Sequence, residues 1–445
     1  MTNKIISNSF IVSFLATLFL IFIWFHSFFT REDSINSIVV INICTLIVYY
    51  LSIKLLSKYG SRLTKSTFFT FIFVYSFLFM FTYVAYFYVQ IGDLTIPNEK
   101  DTTYYHLVAK QGQDLSIIDY VKKLYKEFNW DDIATPLYVY ILYHIKTSPL
   151  IVYFVNILLG VLSSSYLFKL SRLYLPKKES YLSSALFILS AYTLFFEYYL
   201  FKESLFILFC VLAVYNAQKY IIHNKNKYLI YFIIFLLILS FFRVGTSVIL
   251  LASYLIYYLI RTAKLNFFNI LLFILLTVGF FVVLWPLFVG TYGNLASENF
   301  LSWRVEKVGL SQNILFPFSF FNAFFGPIPT FFAIQDKESS SYYYAGYLVR
   351  YFMSPFFVLS VINIIKNKLF TIYPLIIYYF LGSTIFSLAL WAFDMRFLIT
   401  HVFLYYTITF VGLYNMTKLT SKNKIFIYSF YFVLIFFFIL YNLRF

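Results

Sequence analysis

The chain of 445 residues is 62% hydrophobic and 24% aromatic, and only 12% of it is charged. A soluble domain carries roughly twice that charge and far fewer aromatics. The 60 Phe and 43 Tyr therefore exclude a soluble enzyme, a disordered tail and a disulfide-stapled secreted domain. The formal charge of +16 would by itself suggest nucleic acid, a reading that depends on where the charges fall.

Apolar runs of about 20 residues recur from end to end, so a bilayer is the expected solvent. Candidate spans, about 13 in number, start near Phe10, Ile38, Thr67, Pro149, Tyr181, Ser204, Tyr228, Val244, Phe267, Tyr347, Phe370, Phe397 and Ile425. The first lacks a small-residue cleavage site and reads as a retained helix. The seventh, from about Tyr228 to Phe242, is the shortest. The expected fold is an all-α polytopic membrane protein, with residues 1–445 forming one membrane domain. Two large loops interrupt it, over 92–148 and 291–345. In the first, ATPLYVYILYH from Ala134 to His144 is too short to cross and reads as an interfacial helix. In the second, Pro317, Pro327 and Pro329 make ILFPFSFFNAFFGPIPTFF a re-entrant or interfacial segment.

The charges test this topology. With the N-terminus inside, the cytoplasmic loops hold 19 basic residues, from Lys4 through Lys58, Lys177 and Lys366 to Lys424, against the single acid Glu179. The other face holds the remaining 15 basic residues and 17 acids. That bias obeys the positive-inside rule at every short loop. Both large loops and the C-terminus then lie outside. Cys44 and Cys210 sit in apolar runs and read as small hydrophobes. No CxxC, GxGxxG or P-loop occurs, so neither a zinc site nor a nucleotide site is indicated, and no cofactor is expected. A divalent metal is compatible with the sequence but not indicated by it.

Ionisable groups at the outer face are the candidates for chemistry, because charge is costly there. DTTYYHLVA places Asp101 where a carboxylate can take a proton from a hydroxyl. Tyr104, Tyr105 and His106 beside it offer stacking and hydrogen bonds to a glycan. The plainer reading is a helix cap in a solvated loop. In FFEYYLFKES, Glu197 ends one span, and Lys202 and Glu203 open the next. They read as a second acid and a phosphate ligand, or as snorkelling charges in an aromatic belt. Arg243, Arg350 and Arg396 are separated cations on the same side. Arginine suits phosphate oxygens, although pairing with local acids such as Asp394 is the simpler account. Trp303 and Arg304 in the second loop suit a glycan surface, or merely a solvated one. His26, His144, His223 and His401 have no metal-like spacing and read as core or interfacial side chains.

The order of these pieces resembles the membrane-embedded GT-C glycosyltransferases, such as the aminoarabinose transferases and protein O-mannosyltransferases. The likeness rests on Asp101 with its aromatics, the Pro-Leu-Tyr helix, SSYLFKLSRLYLPKK, the span rising to the acids of FFEYYLFKES, and FFRVGT. It covers Asp101 to about Leu251, with a weaker echo in MRFLITHVFLYYTITFVGL. It implies transfer of a sugar from an undecaprenyl-phosphate-type carrier to a glycan or lipid-linked acceptor, on the outer face of a bacterial inner membrane. In that likeness Asp101 is the catalytic acid of the first loop. Glu203, or less well Glu197, is the acid of the second, and Arg396 is a carrier-phosphate ligand. The sequence departs from the family in having two spans before the one that leads into Asp101. It also has Thr102 where a second acid is usual. The general style also resembles O-antigen and capsule polymerases, which join lipid-linked repeat units at the same face. A flippase for lipid-linked oligosaccharide is the non-enzyme alternative, although no half-repeat is visible.

Overall fold

A computed structural model describes residues 6, 9–13, 15, 33–91, 100–127, 133–197, 202–262, 324–325, 344–388, 395–416 and 419–443. Within these the chain is all-helical, with no strand. Helices α1 (Asp33–Tyr59) and α2 (Lys65–Ile91) form an N-terminal pair. Three short helices follow in the first large loop: α3 (Lys100–Gln111), α4 (Ile117–Glu127) and α5 (Ala134–Tyr143). The bundle resumes with α6 (Pro149–Ser171), α7 (Lys177–Ile188), α8 (Ala191–Glu197), α9 (Glu203–His223), α10 (Asn226–Ser240) and α11 (Val244–Thr262). Beyond the second loop come α12 (Tyr344–Lys366), a 3-10 turn at Phe370–Ile372, α13 (Tyr373–Leu388), α14 (Met395–Val402), α15 (Leu404–Tyr414) and α16 (Ser421–Leu443).

Six of these helices are long and apolar enough to cross a membrane, and a seventh span is complete if bent α7–α8 is counted as one. Three further apolar stretches, in α10, α13 and α14–α15, are shorter. The architecture is that of a polytopic membrane protein. The candidate span at Phe267 lies outside the described residues, and the one at Phe10 is described only at 9–13 and 15.

Local chemistry explains several boundaries. Ser148 caps α6 by accepting from the Leu150 N–H, and Pro149 fills the first turn, where no N–H partner is needed. Asn224 ends α9 in the left-handed conformation, with φ of 50°. Helix α12 runs straight through Pro355, whose missing N–H would strand the Tyr351 carbonyl. The Ser354 hydroxyl donates to that carbonyl at 2.7 Å, so no backbone acceptor is orphaned in an apolar setting. At α7–α8 the chain bends by 59°. There Ser190 Oγ and Thr193 Oγ1 both donate to the Phe187 carbonyl, at 2.8 and 2.7 Å, drawing it out of the helical ladder.

The outer faces are apolar. In α16, Ile425, Tyr428, Phe432, Phe436 and Leu440 are exposed along one stripe. In α11, Leu251, Leu255, Tyr258 and Leu259 form another. Such contiguous apolar surface suits lipid rather than water. The inner faces carry small residues where helices cross closely. At Gly412 of α15, an added Cβ would strike the Ser360 backbone of α12. The Ser360 hydroxyl and Asn363 amide bond the Thr409 and Gly412 carbonyls across the same crossing, at 2.7 and 2.9 Å.

The basic turns gather at one end. Lys177 Nζ donates to the Ser61 carbonyl at 3.4 Å, joining the α1–α2 turn to the start of α7. The Tyr174 hydroxyl reaches both Gln218 Oε1 at 2.5 Å and the Thr371 carbonyl at 3.0 Å. The α6–α7 turn, the C-terminal end of α9 and the turn before α13 thus meet. Glu203 and Lys202, at the N-terminal end of α9, lie a helix length away.

Candidate functional site

At the end opposite the basic turns, Glu197, Lys202 and Glu203 are buried. Glu203 is 2% exposed and opens α9. Its Oε1 pairs with Arg243 Nη2 at 3.2 Å, and Arg243 lies over the Phe206 ring at 5.5 Å. Arg243 sits between α10 and α11, where the short α10 turns back; its N–H continues the helical ladder to the Leu239 carbonyl. The second oxygen of Glu203 has no hydrogen-bond partner. Lys202 is buried beside it.

Glu197 ends α8 and is 1% exposed. Its carboxyl lies directly on Gly160 of α6, where any added Cβ would collide with Oε1. Neither carboxyl oxygen has a hydrogen bond of normal geometry, although the Ser76 hydroxyl is near enough to influence it. Around it are Ser163, Ile188, Thr193, Ser204 and Ile207, which with Gly160 line a small cleft. That space is too narrow to seat a water molecule.

Arg350 occupies a separate cluster. It is 2% exposed and donates through Nη2 to the Phe324 carbonyl at 3.3 Å and the Tyr379 hydroxyl at 3.0 Å. Its guanidinium lies 5.3 Å from the centre of the Tyr405 ring. The Tyr379 hydroxyl also bonds the Phe324 carbonyl. A piece of the second large loop is therefore pinned against α12 and α13 through one backbone carbonyl. His401 is buried nearby, its ring nitrogens within 3.0 Å of Ser383 Oγ and 3.1 Å of Thr400 Oγ1. Tyr192 of α8 comes close enough to Arg350 to interact electrostatically, which links this cluster to the helix that carries Glu197.

The first large loop docks at the same end. Tyr138 of α5 donates to Asn156 Oδ1 of α6 at 2.9 Å, and Asn156 Nδ2 donates to the Glu197 carbonyl at 3.3 Å. Helix α3 is held to α5 by His106 Nδ1 and the Tyr143 hydroxyl, 2.6 Å apart. Burial pushes the Tyr143 phenol above its ordinary range, so it stays neutral. Tyr105 is partly buried, whereas Tyr104 is 46% exposed and available to a ligand. In α4, Ser116 and Asp119 form a capping box: Ser116 Oγ donates to Asp119 Oδ2 at 2.6 Å and accepts from the Asp119 N–H at 3.2 Å. That bond, with Lys122 alongside, holds the Asp119 carboxyl below the usual range.

Of the residues singled out by sequence, Glu203 and Arg243 meet directly, and Glu197 and Lys202 lie in the same buried region. Asp101 falls in the first turn of α3 and Arg396 in the first turn of α14; their side chains lie outside the described residues, as do Trp303 and Arg304. Sequence reasoning paired Arg396 with its neighbour Asp394 and gave Arg243 no partner, because Glu203 lies 40 positions away. It also missed Tyr143, Asn156, Tyr379 and Gly160. Only Gly160, a glycine inside a long apolar run, carried any local signal. No group of three or more metal-ligating side chains occurs among the described residues.

Compared with protein-family models, curated proteins and solved structures, the chain matches none.

Proposed function

We propose that the protein is a membrane glycosyltransferase of the bacterial inner membrane. It moves a sugar from an undecaprenyl-phosphate-type carrier to a glycan or lipid-linked acceptor at the outer face, in surface polysaccharide assembly. The observation that carries this reading is the polarity of the bundle. The lysine-rich turns meet at one end; at the other, the first large loop docks through Tyr138 and Asn156 onto the region that buries Glu197, Lys202 and the Glu203–Arg243 pair. By the positive-inside rule the lysine-rich end is cytoplasmic and the other faces outward.

Direct displacement at the anomeric carbon needs a base and a cation. Asp101 accepts the acceptor hydroxyl's proton as that oxygen bonds to the anomeric carbon. The bond from that carbon to the carrier phosphate breaks, and the phosphate leaves with the electron pair. Arg243, Lys202 and Arg396 are the cations assigned to its charge, with Glu203 holding Arg243 in place. Tyr104 and His106 flank the acceptor.

The test is a deletion strain complemented with wild type or Asp101→Asn, with its surface glycan analysed. Loss of one branch sugar, unrestored by the variant although it reaches the membrane, supports a transferase. Single repeat units without long chains would make it a polymerase using the same parts. Lipid-linked intermediate trapped inside would mean a flippase. Near-normal glycan with Asp101→Asn would overturn the assignment of Asp101.

A further inference from the structure

We infer that the space beneath Glu197 is a binding site for a small monovalent cation of sodium size. The inference does not rest on the glycosyltransferase reading. Its first ground is the balance of donors and acceptors. The Ser163 hydroxyl donates to the Leu159 carbonyl at 2.8 Å, and Thr193 Oγ1 donates to the Phe187 carbonyl at 2.7 Å. Ser204 Oγ faces the Phe196 carbonyl at 3.4 Å. Each of these hydroxyls has a backbone carbonyl to accept its proton, which leaves lone pairs free to face the space. Glu197 adds two carboxyl oxygens with no hydrogen bond. The lining offers mainly oxygen acceptors, with the Ser76 hydroxyl beside Glu197 as a donor, and hard cations take oxygen ligands.

Geometry supplies the second ground. The space lies at the 59° bend between α7 and α8, with Ile188 before the break and Thr193 after it. Broken helices within a membrane bundle expose carbonyls and a negative helix end, features that suit a cation. Gly160 lets the carboxyl lie flat on α6 and keeps the space open. The room is too narrow for water, which disfavours a hydrated ion and favours a bare one smaller than water. A buried carboxylate here, paired with a cation, also avoids the cost of an uncompensated charge.

The experiment uses the full chain purified in detergent and exchanged into sodium-free buffer. Binding of radioactive sodium is measured directly, and the thermal midpoint is followed in sodium, potassium or choline chloride at constant ionic strength. The expected result is saturable binding of one sodium per chain. The midpoint rises with sodium and is unmoved by choline, with potassium weaker. Glu197→Gln, which keeps the shape, lowers sodium affinity more than tenfold and removes the midpoint rise. Ser204→Ala keeps the carboxyl and lowers affinity severalfold, which covers the case in which the Gln variant does not fold. Absence of saturable binding to wild type overturns the proposal, and so does unchanged affinity in folded Glu197→Gln. If the carboxyl merely holds a proton, the midpoint follows pH and ignores sodium, and the proposal likewise fails.

Discussion

The Glu203–Arg243 pair makes a quantitative test of how the end of the bundle opposite the basic turns is held. At 3.2 Å, with Glu203 and Arg243 side chains 3% and 13% exposed, an effective dielectric of about 20 gives roughly 5 kcal/mol of Coulomb attraction. Desolvation cancels much of that for the pair as a whole, so the pair is worth less than its attraction. Breaking it from one side is different. Arg243→Met leaves the Glu203 carboxylate buried and uncompensated, at a cost of about 3–5 kcal/mol. It also removes the guanidinium from the Phe206 ring. Glu203→Gln strands the arginine in the same way, although Gln keeps one hydrogen bond. The double variant strands neither charge and should be about as unstable as the worse single variant rather than the sum of the two, a coupling of about 2–3 kcal/mol. Unfolding in mixed SDS micelles of the wild type, both single variants and the double variant measures it. Strict additivity, with the double variant as unstable as the two single losses combined, would refute the pairing and remove the reason for expecting Arg243 to be fixed near a carrier phosphate.

Gly160→Ala drives a Cβ into the buried Glu197 carboxyl and should destabilise by about 1–3 kcal/mol; adding Glu197→Ala should relieve the clash, as midpoints of the single and double variants will show. Gly412→Ala meets the Ser360 backbone, which cannot move aside as a side chain can, so its loss should lie at the upper end of that range with no side-chain substitution rescuing it. Ser116→Ala removes the α4 capping box, worth about 1 kcal/mol, and should speed amide exchange in the first turn of α4 about fivefold. Because the Asp119 carboxyl is depressed on folding, its contribution is complete above the ordinary Asp value. It fades as pH falls through the lower folded value, so protection of α4 in wild type should drop under acid while that of Ser116→Ala changes less. His106→Phe removes the bond to Tyr143 and should loosen α3 from α5, seen as faster exchange in both helices with the bundle core unchanged.

The long elements were legible because hydropathy and capping chemistry act locally. Pro149 and Val244 begin helices where the apolar runs begin, and the short run from Tyr228 emerges as α10, 15 residues long. The Ala134 segment is a helix of 10 residues, as its length required. The bend inside the run from Tyr181 was not legible. Ser190 and Thr193 look like ordinary small polar residues, and only their joint capture of the Phe187 carbonyl breaks the helix. Partnerships were less legible still. Arg243 was a candidate by type, but its acid is on another helix. Arg350 was a candidate phosphate ligand, yet its Nη2 is committed to a carbonyl of the second loop and to Tyr379. Pairing across a bundle depends on which helix faces lie together, and hydropathy alone does not encode that.

Hydrogen bonds bring several of the basic turns together at one end of the bundle. Ser61, Lys177, Tyr174, Gln218 and Thr371 come from three separate turns and the C-terminal part of α9, and hydrogen bonds draw them together. The opposite end pairs Arg243 with Glu203 and buries Glu197 and Lys202 away from solvent. The two ends are therefore unlike: one gathers basic turns, and the other holds an acid and a cation in the same buried region. A chain built to grip nucleic acid would spread its excess over an exposed face, whereas here basic turns gather at one end of an apolar bundle.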